Sequence, residues 1–199
     1  MSLKAQTAPR PLGMSIGPVD QEIGNIDPSR RTSHSSSLCI VRPDSIGIWP
    51  YHDHGPEEMM STNLGLFGAI VIRPREEPVP DVEHTIYFHM YQPSDIGARV
   101  AYSAINGRAY AGNTPTPSAR VGQDVAFNVL TLGSELHTFH IHGHRWKDEA
   151  GAFADAPDLS PSQGLRARYI EDAPGRWLYH CHVMTHMQQG MVGYYTVSP

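Results

Sequence analysis

Nine of the twelve histidines in this 199-residue sequence fall into three short segments, YHDH (51–54), HTFHIHGH (137–144) and HCHVMTHMQQGM (180–191). The last carries the most chemistry. In an extended chain successive side chains point to opposite faces, so His180 and His182 share one face while Cys181 projects to the other. His186 follows Cys181 by five residues, and Met191 follows His186 by five. A thiolate, imidazoles and a thioether converging on one point suit copper, with Met as the weak axial ligand. Zinc and iron–sulfur sites draw on more thiolates.

The same alternation sorts the second segment. His140, His142 and His144 lie on one face and His137 on the other, where it can supply a second imidazole beside Cys181. His140 and His142 can then join His180 and His182 around another metal centre. His144 follows Gly143 near the end of the strand and reads as a supporting or surface residue, not a ligand. In YHDH, His52 and His54 share a face with Asp53 opposite. Alone, an H-x-H pair occurs in zinc sites and in ordinary strands alike; beside two other histidine clusters it reads as metal-binding.

Such a set needs strands to hold it. Eighteen Gly and 17 Pro favour short strands and many turns over long helices, and no stretch places apolar residues at helical spacing. Apolar runs bounded by Gly, Pro, Asn and Asp recur through the chain, among them GIWPYHDH, GLFGAIVIRP, EHTIYFHMY, DVAFNVLTLG, LHTFHIHGHRW, LRARYIED and GRWLYHCHV. They predict an all-β sandwich or Greek-key barrel. The expected organisation is an irregular segment over 1–36, a partial domain over 37–75, a linker over 76–82 and a complete domain over 83–199.

A net charge of −5 with scattered Lys and Arg gives no footprint for nucleic acid or an anionic membrane. No run approaches the ~20 apolar residues that span a bilayer, and residues 1–30 show no apolar core of an export leader. Cys39 reads as a buried small hydrophobe, since the histidines around Cys181 suit a metal ligand better than a disulfide. His84 and His89 read as structural.

The stretches IWPYHDH, GLFGAIVIRP, INGRAYAGNTPTPSARVG, LHTFHIHGHRW and GRWLYHCHVMTHMQQGM resemble the multicopper oxidases, and the small two-domain laccase-like members most closely. The resemblance implies cupredoxin-like Greek-key β-sandwiches, one complete and C-terminal, the other partial and N-terminal. It implies a type 1 blue copper on His137, Cys181, His186 and Met191. It also implies a type 2 copper on His140, and type 3 coppers on His52, His54, His142, His180 and His182. Asp53 resembles an acid that delivers protons. The implied function is one-electron oxidation of phenols or similar small reductants, metal ions included, coupled to reduction of dioxygen to water, with electrons reaching the oxygen site through Cys181. Relatives are usually exported, and the two-domain ones form homotrimers. The family's upstream H-x-H-G pair has no counterpart before His52, where the only histidine is His34. That absence favours an alternative: a non-catalytic blue-copper electron-transfer protein with an incomplete trinuclear site. Copper nitrite reductase is a third reading, opposed by His182 directly after Cys181.

Overall fold

The computed structural model describes residues 12–15, 38–41, 43–148 and 150–199. The strands are β1 Leu12–Ser15, β2 Leu38–Val41, β3 Gly47–His52, β4 Phe67–Ile72, β5 Val82–Tyr91, β6 Tyr102–Ile105, β7 Ser118–Arg120 and β8 Asp124–Thr131. They continue with β9 His137–Ile141, β10 Trp146–Lys147, β11 Phe153–Ala154, β12 Asp158–Leu159, β13 Gly164–Ile170, β14 Gly175–Cys181 and β15 Val192–Ser198. Three short helices interrupt them: α1 Glu58–Asn63, α2 Pro93–Ile96 and α3 Met184–Gln188. None of the described helices is long and apolar enough to cross a membrane.

Two compact units make up the chain, and the larger consists of Gly47–Val71 with Pro78–Pro199. Its main body is two sheets, ordered β13-β8-β5-β6 and β12-β9-β14-β15-β7. β8 to β9 and β13 to β14 each change sheet, which is the sandwich connectivity expected. Alternation selects the core: β9 reads buried, half-buried, buried, half-buried, buried, so His137, Phe139 and Ile141 face inward. The rings of Phe88, Phe127, Phe139, Trp146 and Tyr195 meet between the sheets at centroid separations of 5.3–6.0 Å. β8 is buried at every position after Asp124. It is central in its sheet, and β3 packs against it and β13.

Of the segment 37–75, expected as a partial domain, β3 and β4 fall in the larger unit and β2 in the smaller. Gly164 makes the approach of β3 feasible, because a Cβ there would stand 2.4 Å from the Ile48 carbonyl oxygen. β5 begins at Val82, the last residue of the span 76–82 expected as a linker.

The smaller unit contains β1 and β2, an antiparallel ladder running from Leu12↔Val41 to Ser15↔Leu38. A strand at Leu12–Ser15 departs from the irregular segment expected over 1–36. Its backbone partner lies more than twenty residues on, which no local pattern announces. The rest of 1–36, His34 included, and the side chain of Cys39 lie outside the described residues.

Candidate metal centre

β14 pairs antiparallel with β9 so that His180 stands opposite His140, and Cys181 opposite Phe139. Residues facing each other across a ladder share a face. The tripeptide His180–Cys181–His182 is thereby split, its sulfur entering the core and its imidazoles leaving it. Cys181 is fully buried and part of the apolar core cluster.

Beneath the strand ends, His137, Cys181 and His186 bring one ligand atom each within 4.8 Å of the others. The Cys181 Sγ lies 3.7 Å from His137 Nδ1 and 3.7 Å from His186 Nδ1. His186 reaches this point because α3 begins just past β14, its amide donating to the Val183 carbonyl at 3.0 Å. Gly190, at φ +114°, then turns the chain back. Met191 N donates to His186 O at 3.0 Å and Cys181 N to Met191 O at 3.2 Å, so Met191 closes the loop, fully buried.

The electrostatics leave these groups wanting a cation. Burial pushes the His137 imidazole down to about 3, with the neighbouring His186 and His89 adding to it. Burial lowers His186 too, partly opposed by Glu135. Both rings are therefore neutral and carry a free lone pair at physiological pH. The Cys181 thiol is pushed up by burial, against the amides of Thr138 and Val183 and the Thr138 hydroxyl, which favour the thiolate. A buried thiolate needs a positive partner. His137 Nε2 is buried with no hydrogen-bond partner among the described residues. Ligands ~2.0 Å and ~2.3 Å from one ion at a trigonal angle lie about 3.7 Å apart, matching both sulfur–nitrogen distances. The residues fit a soft metal with trigonal N2S ligation.

On the outer face, His140, His142 and His180 form a second group within 4.8 Å. His142 Nε2 lies 3.1 Å from His180 Nε2. The His182 ring stands 5.4 Å from that of His140 and 5.5 Å from that of His180. Two of these rings are held by their other nitrogen: His140 Nδ1 lies 2.7 Å from the Asp155 carbonyl, and His180 Nδ1 2.9 Å from that of Cys181. Metal-binding histidines are commonly oriented this way. Burial first, then the neighbouring imidazoles, lowers the pKa of His142. For His180 the same lowering causes are partly opposed by the Cys181 carbonyl.

His144, read from the sequence as a supporting or surface residue, is buried. Its Nδ1 lies 2.7 Å from the His142 carbonyl and its Nε2 3.0 Å from Glu171 Oε1. Glu171, itself buried, also accepts the Tyr195 hydroxyl and the Ala173 amide. Nothing in the sequence marks Asp155 or Glu171 as supports, because each meets its histidine only through tertiary pairing.

The structure brings His52 and His54 together, with ring centroids 4.4 Å apart, beside Glu58. The metal-ligand groups among the described residues keep this pair apart from His140, His142 and His180. Asp53 turns away and accepts the Ser61 hydroxyl at 2.6 Å. That bond holds its carboxyl below the usual carboxylate range, so it is ionised at neutral pH.

A family model described as multicopper oxidase matches residues 80–199, more than half of the chain. The chain belongs to the multicopper oxidase family. The matched span contains His137, His140, His142, His180, Cys181, His182, His186 and Met191 and excludes His52, Asp53 and His54. Among similar proteins, a probable nitrite reductase-hydroxylamine oxidoreductase fusion protein of Kuenenia stuttgartiensis is 29% identical over 76% of this chain and 20% of its own length. Ceruloplasmin of Rattus norvegicus is 39% identical over 48% of this chain and 9% of its own length. This chain thus spans a fifth or less of these relatives. A crystal structure of a multicopper oxidase superposes with a TM-score of 0.65 at 19% identity, over 82% of this chain and 61% of that one. The shared fold is the cupredoxin-like all-β sandwich.

Proposed function

We propose that this multicopper oxidase family member is a copper-dependent oxidoreductase. In this reading it takes single electrons from small reductants of the phenol or aromatic amine kind and passes them, four at a time with four protons, to dioxygen to give two waters. The observation that carries the reading is the buried triangle of Cys181, His137 and His186 closed by Met191. Copper held there by His137, Cys181, His186 and Met191 would supply one-electron redox chemistry.

The chain's own residues divide the work. His137, Cys181, His186 and Met191 exclude water from the first centre, all four being buried. His140, His142, His180 and His182 present a second centre at the surface. Cys181 is one peptide bond from both His180 and His182, which gives the two centres a covalent path. A cleft of about 750 Å³, lined in part by Met90, Leu132 and Glu135, offers room for a small reductant. Glu135, one of its lining residues, opposes the lowering of the His186 pKa by burial. In this reading Asp53, ionised and held by Ser61, accepts and relays protons. His52 and His54 complete the surface centre of a neighbouring chain in a homotrimer.

The test is copper loading of the full chain. An intense blue absorption that disappears in Cys181→Ser, together with oxygen uptake driven by a phenolic donor, is expected. One copper per chain with the blue band and no oxygen uptake would replace this reading with an electron-transfer protein. Nitrite consumption in place of oxygen uptake would point to nitrite reduction.

A further inference from the structure

The pair His52 and His54 has a third neighbour that the multicopper pattern does not use. Glu58 Oε1 lies 3.4 Å from His54 Nδ1 and 3.6 Å from His52 Nδ1. The three residues offer ligand atoms within 4.8 Å of one another. Ligands ~2.1 Å from one ion at a tetrahedral angle lie about 3.4 Å apart, so the carboxylate already stands near ligand spacing from both rings.

The local fold holds this arrangement without a second chain. Asp53 N donates to Leu66 O at 3.0 Å, which pins the His52–His54 segment to the start of β4. The Asp53 carboxylate accepts the Ser61 hydroxyl at 2.6 Å, and the same hydroxyl lies 3.1 Å from the Glu58 carbonyl. Helix α1 is thereby docked with Glu58 toward the rings, four residues beyond His54. The same His52 Nδ1 lies 3.0 Å from the Asp53 carbonyl, a contact that the ion would replace. Asp53 itself, engaged with Ser61 on the other side, does not compete for the ion.

We propose that His52, His54 and Glu58 form a mononuclear site for a divalent first-row transition ion such as Zn2+ or Co2+, complete within one chain and separate from the copper sites on β9 and β14. Two imidazoles and one carboxylate, with no thiolate or thioether in the set, suit a borderline divalent ion and not Cu(I). His54 and Glu58 are half or more exposed, so the remaining coordination positions open to solvent and the ion exchanges readily. The site gives the pair an occupant when no neighbouring chain engages it, and so goes beyond the oxidase reading.

Co2+ titration of the full chain, stripped of metal by chelation, tests the assignment. Visible d–d bands report the ion, and any thiolate-to-cobalt charge-transfer band reports binding at Cys181 instead. The background is His140→Ala with His142→Ala, which disables the outer histidine face at two partly exposed positions. One Co2+ per chain is expected there, with affinity weakened at least tenfold by Glu58→Gln and more by His54→Ala. Equal affinity in Glu58→Gln, or d–d bands that vanish with the His140→Ala/His142→Ala background, would overturn the proposal. Copper loading of the unmutated chain reads the blue centre separately, so failure of one assignment is not mistaken for failure of the other.

Discussion

His89 is a buried histidine that no metal reading uses. Its Nε2 accepts the Gly107 amide at 3.0 Å, and burial pushes its pKa down to about 4. An unfolded histidine takes up its proton near pH ~6.5, whereas the folded one waits until about pH 4. Between those values the unfolded state binds more protons, so stability falls as the pH falls. The whole shift corresponds to about 3 kcal/mol for one such group. Denaturant melts of the metal-free protein should therefore lose stability from pH 7 to pH 4.5, and His89→Gln should make that loss shallower. An unchanged slope in the variant would refute the assignment. At this scale the sequence was informative where alternation alone decides. Cys181 points inward and His180 outward because they are adjacent on a strand. It was silent on the Glu171 that grips His144, since that contact spans 27 residues and four strands.

One turn of chain decides where Met191 stands. Between His186 and Met191 the backbone must reverse tightly enough for Met191 N to reach His186 O, and Gly190 does this at φ +114°. A Cβ at Gly190 would come 2.6 Å from the Ala109 Cβ and 3.0 Å from the Tyr110 amide nitrogen. Strain and overlap together cost about 1–3 kcal/mol. Gly190→Ala should lower the melting temperature and, by moving the thioether, shift the blue absorption of the copper-loaded protein. A melting curve and spectrum identical to the parent's would mean that the loop does not position Met191. Elements whose residues alternate cleanly, β9 and β15 above all, are visible in the sequence. The docking of β3 is not, because it depends on Gly164 leaving room for the Ile48 carbonyl, an approach between segments more than a hundred residues apart.

In the whole molecule the histidines lie in different places. His137 and His186 are buried with Cys181, the outer face gathers His140, His142, His180 and His182, and His52 with His54 belongs to the β3 end beside α1. The outer face is short of ligands for three metals, and the pair at β3 is short of a partner other than Glu58. If the oxidase reading holds, the two incomplete sets are joined by contact between chains, and metal content must depend on association. Sedimentation velocity with copper quantified in each boundary should find one copper per chain in monomers and more than one in trimers. Zn2+ added first should occupy His52, His54 and Glu58, hold the pair out of the interface, and shift the population toward monomers. Glu58→Gln should relieve that shift without altering the blue absorption, since Glu58 is no part of the Cys181 cluster. A copper-to-chain ratio that stays constant across oligomeric states would show instead that one chain assembles all the copper it can hold, and inter-chain completion would be abandoned.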